Sequence, residues 1–306
     1  MIYFVGAGPG AADLITVRGA RLLREAEVVV YAGSLVNPEL LELCKPDCAI
    51  HDSSRMTLEQ IVDVLVAADA AGKLCVRLHT GDPALYGAHG EQMEELDARG
   101  IAYEVVPGVS SLFGATAALR TELTVPEVSQ TVIVTRMEGR TPMPEGERLC
   151  DLSSHGCTMA LFLSAGLLDR VQRELLEGGY DPSTPTAIVV RATWPDEAVY
   201  RCTVATLDAC AREHNVTKTA LVLVGAFLDA CGARSQLYAA NFSHGYRSEG
   251  GPKGSTPIGP KGSTPIGSGP KGSTPIGSGP KGSIPIGSGK AHRHLSGYPQ
   301  GNDATC

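Results

Sequence analysis

The residues most suited to binding a ligand follow a short apolar run, Leu74 to Leu78. They read Thr80-Gly81-Asp82-Pro83, and a helical pattern resumes after Gly90. A strand, a polar turn and a helix in this order place the turn at the carboxyl edge of an open α/β sheet, where ligands bind. Gly81 lets the backbone approach a ligand, and Asp82 supplies an acceptor. The alternative is an ordinary strand-to-helix turn, because Gly-Asp-Pro is common turn chemistry.

A second candidate is the loop Gly6 to Ala11, which follows the apolar strand Ile2 to Val5. Its glycines match the dinucleotide fingerprint G-x-G-x-x-[G/A]. However, Pro9 removes an N–H that a pyrophosphate would need. Glu25 and Glu27, the acids that could bind a ribose, precede the second strand instead of ending it. A glycine turn that only joins a strand to a helix is the alternative.

The elements of the first half bring three such loops together. The third loop, Pro107 to Ser111, again follows an apolar run and precedes a helix. Because parallel strands end at one edge of a sheet, the three loops indicate a shared crevice. Thr57 and Gln60 predict a capping box at the start of a helix. The predicted strands are 2–5, 28–31, 48–51, 74–78 and 102–106, and the predicted helices are 14–26, 39–44, 53–71, 90–100 and 112–119.

The second half predicts another α/β domain. Thr121 to Ser129 reads as the crossing between the domains, which places them at residues 1–120 and 121–249. We expect the strand at 200–203 to pair antiparallel with the strand at 185–191. The other predicted elements are strands at 130–135, 157–163 and 220–224 and helices ending at 177 and 213.

Composition narrows the function classes. The 306 residues are 43% hydrophobic, enough for two domains with real cores. A net charge of -7, 5% aromatic residues and a single Trp argue against a nucleic-acid-binding surface. Nine Cys without CxxC spacing indicate reduced thiols and no metal site. No basic segment precedes the first glycine loop and no apolar run could span a bilayer, so we expect a cytoplasmic protein with no membrane partner.

Residues 250–306 are predicted to be a disordered tail. PKGSTPIG occurs three times, from Pro252, Pro260 and Pro270, and PKGSIPIG once, from Pro280. Such a Pro- and Gly-rich composition buries too little apolar surface to offset the entropy of ordering. His292 and His294 could bind a metal, although exposed histidines in a tail more often have no role.

Several motifs together resemble one enzyme family. They are GAGPGAADLITVRGARLL (6–23), VRLHTGDPALYG (76–87), VVPGVSS (105–111) and VVRATWPDE (189–197). The chain is similar here to the S-adenosylmethionine-dependent tetrapyrrole methyltransferases of corrin and sirohaem synthesis. Further stretches resemble the branch that methylates ring carbon 11 of a corrin precursor, with or without cobalt: YAGSLVNPELL (31–41), TRMEGRTPMPE (135–145), ALFLS (160–164) and FSHGYR (242–247).

The resemblance implies a fold and a co-substrate site. We expect two αβα domains with S-adenosylmethionine in the cleft between them, as a homodimer, without a metal in the protein. The co-substrate-binding residues that it implies are Pro9, Thr80, Gly81, Asp82, Leu85, Ser110, Ser111, Leu163, Ser164, Ala192 and Thr193.

The resemblance also implies the chemistry. An electron-rich ring carbon must approach the sulfonium methyl in line with the departing sulfur, and holding this geometry is the main catalytic lever. A base could remove one proton, with His79, Asp82 and Glu138 as candidates among which the sequence does not choose. Arginines predicted at strand ends are candidates to pair with the carboxylates of the tetrapyrrole: Arg136, Arg140 and Arg191.

Three alternatives stay open. An enzyme of this fold could methylate another tetrapyrrole carbon or a different substrate, such as rRNA or a modified His, although the acidic charge argues against RNA. The first glycine loop could serve a nicotinamide-dependent oxidoreductase. The repeats could belong to a scaffold protein that merely retains an enzyme-like domain.

Overall fold

The computed structural model of the chain describes residues 1–33, 35–230 and 242–243. All of these residues belong to one compact unit. The predicted tail, 250–306, and most of the motif at 242–247 therefore lie outside the described residues.

Five apolar runs of the first half form an all-parallel sheet. Its strands are β1 (Ile2–Gly6), β2 (Val28–Tyr31), β3 (Ala49–Asp52), β4 (Cys75–His79) and β5 (Tyr103–Val106). The order in the sheet is β3-β2-β4-β1-β5. The register pairs Gly6 with His79, so β1 and β4 end at the same edge. The five strands were all predicted, and every bound differs from the observed one by one residue or less.

Helices cover both faces of this sheet. α1 (Val17–Glu25) and a 3-10 helix at Pro38–Leu43 pack on one face, with Leu22, Leu23 and Leu40 buried against it. α2 (Leu58–Ala70) and α3 (Gly90–Asp97) pack on the other face. Parallel strands require such covering, because their connections cross over the sheet.

Three predicted helices differ from the structure in where they begin or in their type. The helix predicted at 53–71 begins at Leu58, and a separate 3-10 turn occupies Ser53–Arg55. The helix predicted from about residue 14 begins at Val17, because Thr16 accepts the N–H of Gly19 and caps it there. The helix predicted at 39–44 is the six-residue 3-10 segment, which starts after the N-cap Asn37. The predicted capping box at the start of α2 is confirmed, with Thr57 and Gln60 each bonding the backbone of the other.

The second half forms a mixed sheet. Its strands are β6 (Val132–Arg136), β7 (Thr158–Phe162), β8 (Pro185–Val190), β9 (Ala198–Thr203) and β10 (Ala220–Val224), in the order β6-β7-β10-β8-β9. Only β6 and β7 pair in parallel. β8 and β9 pair antiparallel, which confirms the predicted hairpin. β10 runs antiparallel between β7 and β8.

Helices also cover both faces of the second sheet, which confirms the predicted fold class. α5 (Leu149–Ser153), α6 (Leu168–Glu177) and α7 (Leu207–Glu213) pack on one face. α4 (Ser111–Leu119) packs on the other, where Leu112, Ala115 and Leu119 share a core with β10. A helix that precedes the predicted boundary at 120 thus completes the core of the second sheet. The boundary itself stays a prediction.

Candidate functional site

Three loops of the first sheet meet backbone to backbone at its carboxyl edge. The Gly8 N–H donates to the Gly81 carbonyl at 3.2 Å, and the Gly81 N–H donates to the Gly8 carbonyl at 2.9 Å. A Cβ at Gly6 would lie 2.5 Å from the Gly108 Cα. Glycine is therefore needed at positions 6 and 108 for close packing between the loops. Because Gly81 already takes the Gly8 N–H, that donor is not free for a pyrophosphate. Glu27 accepts the N–H of Leu74, which precedes β4 and so lies at the opposite edge.

Asp82 ties two of these loops together. Its Oδ1 accepts the Ala84 N–H and its Oδ2 accepts the Gly108 N–H, both at 2.8 Å. The carboxylate thus fixes the turn after β4 against the loop after β5. It also lines the cavity described below, so the same side chain shapes the loops and faces the ligand space.

A loop of the second sheet closes over the first glycine loop. The hydroxyl of Thr193 accepts the N–H of Ala11 at 3.0 Å. Trp194 lies so close to Gly10 that a Cβ at Gly10 would overlap the indole ring. From the other side, the Asn37 side chain donates to the Gly10 carbonyl at 2.9 Å. These contacts hold the carboxyl edge of the first sheet against the second sheet.

A cavity of about 380 Å³ lies between the two sheets. Its walls are mostly apolar, with few charged groups. Its size is within the range of roughly 300–1,000 Å³ typical of small-molecule sites. Nine of the eleven predicted co-substrate residues line it: Pro9, Thr80, Gly81, Asp82, Leu85, Ser110, Ser111, Leu163 and Ala192.

The other two predicted residues support the walls from outside. Ser164 is fully buried, and its hydroxyl accepts the N–H of Met137 at 2.8 Å and donates to the Phe162 carbonyl. Thr193 makes the hydrogen bond to Ala11 described above. Each of the two stands beside a residue that lines the cavity.

Several lining residues have left-handed backbones although they are not glycine. The φ angles are 56° at Tyr86, 52° at Leu163, 48° at Arg191 and 52° at Thr219. Such conformations cost roughly 1–3 kcal/mol each and cluster at functional sites. Their presence in four separate loops around one cavity supports a binding role for that cavity.

The predicted substrate arginines differ in position. Arg191 lines the cavity, stacks 4.1 Å above the Trp194 ring, and its Nε donates to Asp196 at 2.6 Å. Arg136 donates to three carbonyls of its own loop, those of Met137, Thr141 and Pro142. Arg140 is exposed and does not line the cavity.

The three candidate bases also differ. His79 is buried, with its ring stacked 6.0 Å from Phe4, and it does not line the cavity. Burial, together with the smaller effects of the nearby charges of Arg77 and His89, lowers the pKa of His79 from 6.5 to about 3. Glu138 is half-buried outside the cavity walls, and Asp82 is the one candidate that lines them.

Sequence reasoning missed the segment Thr217 to Leu221, which forms one cavity wall. The pairing of Ala220 with Val190 places the amino end of β10 beside the carboxyl end of β8, because these strands are antiparallel. A search for loops that follow strands cannot find a loop that precedes one. Leu35, Tyr86 and Trp194 were also missed as lining residues, although they stand in motifs that the sequence analysis quotes.

Comparison with known proteins identifies the family. Residues 1–208 match the tetrapyrrole (corrin/porphyrin) methylases. The chain belongs to this family. It is therefore a methyltransferase, and its fold is that of the tetrapyrrole methylases.

Individual tetrapyrrole methylases are close in sequence. The chain is 53% identical over 247 residues to a cobalt-precorrin-4 C(11)-methyltransferase of Methanocaldococcus jannaschii, covering 80% of this chain and 95% of the relative. It is 50% identical over 240 residues to a precorrin-4 C(11)-methyltransferase of Mycobacterium tuberculosis, covering 78% and 96%.

Solved tetrapyrrole methylase structures agree. A cobalt precorrin-4 methyltransferase superposes with a TM-score of 0.73 at 48% identity, covering 75% of this chain and 96% of that one. A uroporphyrin-III C-methyltransferase from Thermus thermophilus, complexed with S-adenosylhomocysteine, superposes with a TM-score of 0.64 at 30% identity, covering 74% and 98%.

Two features are absent from the described residues. No helix there is both long enough and apolar enough to cross a membrane. Among the same residues, no cluster of three or more His, Cys, Asp or Glu side chains is arranged to hold a metal ion.

Proposed function

We propose that the chain transfers the methyl group of S-adenosylmethionine to ring carbon 11 of precorrin-4 or of cobalt-precorrin-4. The observation that carries this proposal is the cavity between the two sheets, lined by nine of the residues predicted to hold the co-substrate. The names of relatives about 50% identical supply the carbon and the substrate.

The cavity suits the co-substrate in size and chemistry. Its apolar walls, including Leu35, Leu85 and Leu163, fit an adenosine and a thioether chain. Asp82 is the carboxylate among the lining residues and suits the ammonium group of the methionine part. Thr80 and Ser110 add hydroxyls, although the Thr80 hydroxyl already donates to the Leu35 carbonyl at 3.2 Å.

The chain contributes position and environment to the reaction. S-adenosylmethionine, when bound, supplies an electrophilic methyl on a positively charged sulfur. Apolar walls exclude water, which favours a step in which that charge is neutralised. The loops are held by backbone bonds and by Asp82, so the lining residues keep their geometry while the ring carbon approaches.

The tetrapyrrole, which carries several carboxylates, is proposed to lie at the mouth of the same cavity. Arg191 is held by Asp196 and Trp194 at the wall and can present its remaining N–H groups to a carboxylate. Arg136 and Arg140 are proposed to act on the opposite side, in the loop after β6. The proton lost from the product is proposed to leave to solvent or to Asp82, because His79 and Glu138 do not line the cavity.

Methyl transfer tests the proposal directly. Labelled S-adenosylmethionine is incubated with precorrin-4 and, separately, with its cobalt form, and product mass is measured. A gain of one methyl on either substrate is expected, and it also shows which form is used. No transfer to either, with S-adenosylhomocysteine still bound, would place the substrate elsewhere among the tetrapyrroles.

Assembly and location are further parts of the proposal. By the family resemblance we propose a homodimer in the cytoplasm, testable by light scattering and cell fractionation. Deleting residues 250–306 is expected to leave turnover unchanged. Such a result would favour an enzyme over a scaffold protein whose function lies in the repeats. A titration with NAD tests the oxidoreductase alternative, and weak or no binding is expected because the Gly8 N–H is already engaged.

A further inference from the structure

Tyr86 is a cavity residue for which the co-substrate gives no role. It lines the cavity with 43% of its surface exposed, and its φ angle is 56°. An exposed aromatic side chain on a left-handed backbone gains little from folding. A strained residue of this kind persists where its neighbours fix it and where its placement serves a ligand.

The loop that carries Tyr86 is wound tightly. The Ala84 N–H donates to the Asp82 side chain and the Leu85 N–H donates to the Asp82 carbonyl at 3.2 Å. A Cβ at Gly87 would overlap the Pro83 carbonyl oxygen. The backbone on both sides of Tyr86 is therefore fixed, and the strain at Tyr86 directs its ring across the cavity toward the second sheet.

The ring reaches residues of the second half. Its centroid lies 5.4 Å from that of Phe162, at the end of β7. Burial raises the pKa of Tyr86, while the charge of Arg136 lowers it and that of Glu147 raises it. The register of β6 and β7 pairs Arg136 with Phe162, the residue that the ring of Tyr86 contacts. The hydroxyl of Tyr86 is thus a protonated donor on the same side of the cavity as this cation. Among the described residues, Arg136 donates to carbonyls of its own loop and takes part in none of the ion pairs.

We propose that Tyr86 is a substrate-binding residue whose hydroxyl donates a hydrogen bond to a carboxylate of the tetrapyrrole, next to Arg136. This inference rests on the proposed function and adds a contact to it. Phe162 and the ring of Tyr86 form the apolar wall on which the macrocycle edge lies. Arg136 attracts the carboxylate by its charge, and the Tyr86 hydroxyl orients it by a directional hydrogen bond.

The first test is Tyr86→Phe, which keeps the ring and removes the hydroxyl. A lost hydrogen bond to a charged acceptor is expected to raise KM for the tetrapyrrole about tenfold. KM for S-adenosylmethionine and Tm are expected to stay unchanged. Tyr103→Phe is the matched control. Tyr103 lies on β5 and does not line the cavity, and its hydroxyl donates to Asp97 at 3.1 Å. It is expected to leave both KM values unchanged.

The second test is a double-mutant cycle with Arg136→Gln, which retains donors for the loop carbonyls. If both side chains hold one carboxylate, the double variant raises KM for the tetrapyrrole by less than the product of the single effects. An unchanged KM in Tyr86→Phe, or an equal rise in both KM values, overturns the role of Tyr86. A wild-type chain that methylates neither tetrapyrrole overturns the proposed function itself.

Discussion

Some residues at the cavity are exposed and have a backbone conformation that lowers folding stability. Leu163 has a φ angle of 52° and is 65% exposed, although leucine favours neither condition. Its backbone position gains no stability from the side chain, since little of that side chain is buried. The apolar surface of Leu163 is therefore available to a ligand. Favourable interactions elsewhere in the fold offset the free energy of its left-handed backbone.

Replacing Leu163 by Gly tests this effect on stability. Relief of the left-handed strain, roughly 1–2 kcal/mol, outweighs the flexibility cost of Gly, roughly 0.5–1 kcal/mol. We expect the free energy of unfolding to stay equal or to rise by up to about 1 kcal/mol, as measured by urea denaturation. We also expect S-adenosylhomocysteine to bind about tenfold more weakly by calorimetry, because an apolar contact is lost.

Leu85 provides the matched control for Leu163. It lines the same cavity and is 37% exposed, but its φ angle is not positive. Leu85→Gly therefore relieves no strain and is expected to lower the free energy of unfolding by about 1 kcal/mol. Equal destabilisation by the two substitutions would contradict the assignment of strain to Leu163.

His79 makes stability depend on pH. Its pKa is about 3 in the folded chain against 6.5 as the reference value, chiefly because of burial. Between these values the unfolded chain binds a proton that the folded chain does not, so stability falls as pH drops below 6.5. The loss from this group between pH 7 and pH 5 is about 1–2 kcal/mol. In His79→Gln, the free energy of unfolding, measured by urea denaturation, is expected to fall by about 1–2 kcal/mol less than in wild type between pH 7 and pH 5.

An exposed histidine separates this effect from general acid sensitivity. His155 is exposed at the end of α5. His155→Gln is expected to leave the pH slope as in the wild type. If His79→Gln and wild type lose stability in parallel from pH 7 to pH 5, the burial of His79 is not the cause of the pH dependence.

At the level of elements, α2 depends on its first turn. Thr57 and Gln60 satisfy two backbone N–H groups there. Thr57→Ala is expected to lower the free energy of unfolding by about 1 kcal/mol while leaving turnover unchanged, because α2 does not line the cavity. Thr131→Ala is the control in thermal denaturation. Thr131 is exposed and its side chain makes no hydrogen bond among the described residues, so this variant should have the Tm of the wild type.

Most elements could be predicted because local patterns encode them. The apolar runs of β2 and β10 and the capping box of α2 were predicted residue for residue. α5 was not predicted, since it is a five-residue helix in a polar stretch and gains its stability from packing on α6. α1 begins later than predicted because Thr16 is its N-cap. The residues before Thr16 form a separate 3-10 turn, Ala12–Leu14.

At the level of the whole molecule, the cavity exists because two loops interlock. Gly10→Ala would place a methyl group on the Trp194 ring and 2.9 Å from the Ala192 carbonyl oxygen. We expect the loops to separate and S-adenosylhomocysteine binding to fall by tenfold or more. Trp194 is the single Trp of the chain, so a red shift of its fluorescence reports the separation directly.

Gly90 is the matched control for Gly10. A Cβ at Gly90 meets nothing within 4 Å, and its φ angle is not positive. Gly90→Ala should therefore retain both the fluorescence maximum and the binding. Normal binding by Gly10→Ala would show that the cavity does not depend on this interlock.

The site was predictable in one half and not fully in the other. In the parallel sheet every binding loop follows a strand, so sequence order alone places Pro9, Gly81 and Ser110 together. In the mixed sheet, strand direction decides which loops face the cleft, and no local pattern reveals that direction. The wall at 217–221 and the contact of Tyr86 with Phe162 depend on this arrangement.

The bond between Ala11 and Thr193 joins residues 182 positions apart. On a ribosome adding about 5–20 residues per second, the first glycine loop waits roughly 10–35 seconds for its partner to be synthesised. During that interval the apolar face formed by Leu35, Leu85 and Tyr86 lies open on the nascent chain. The surface proposed to bind ligands in the complete enzyme is therefore also an apolar surface through which nascent chains can associate with one another.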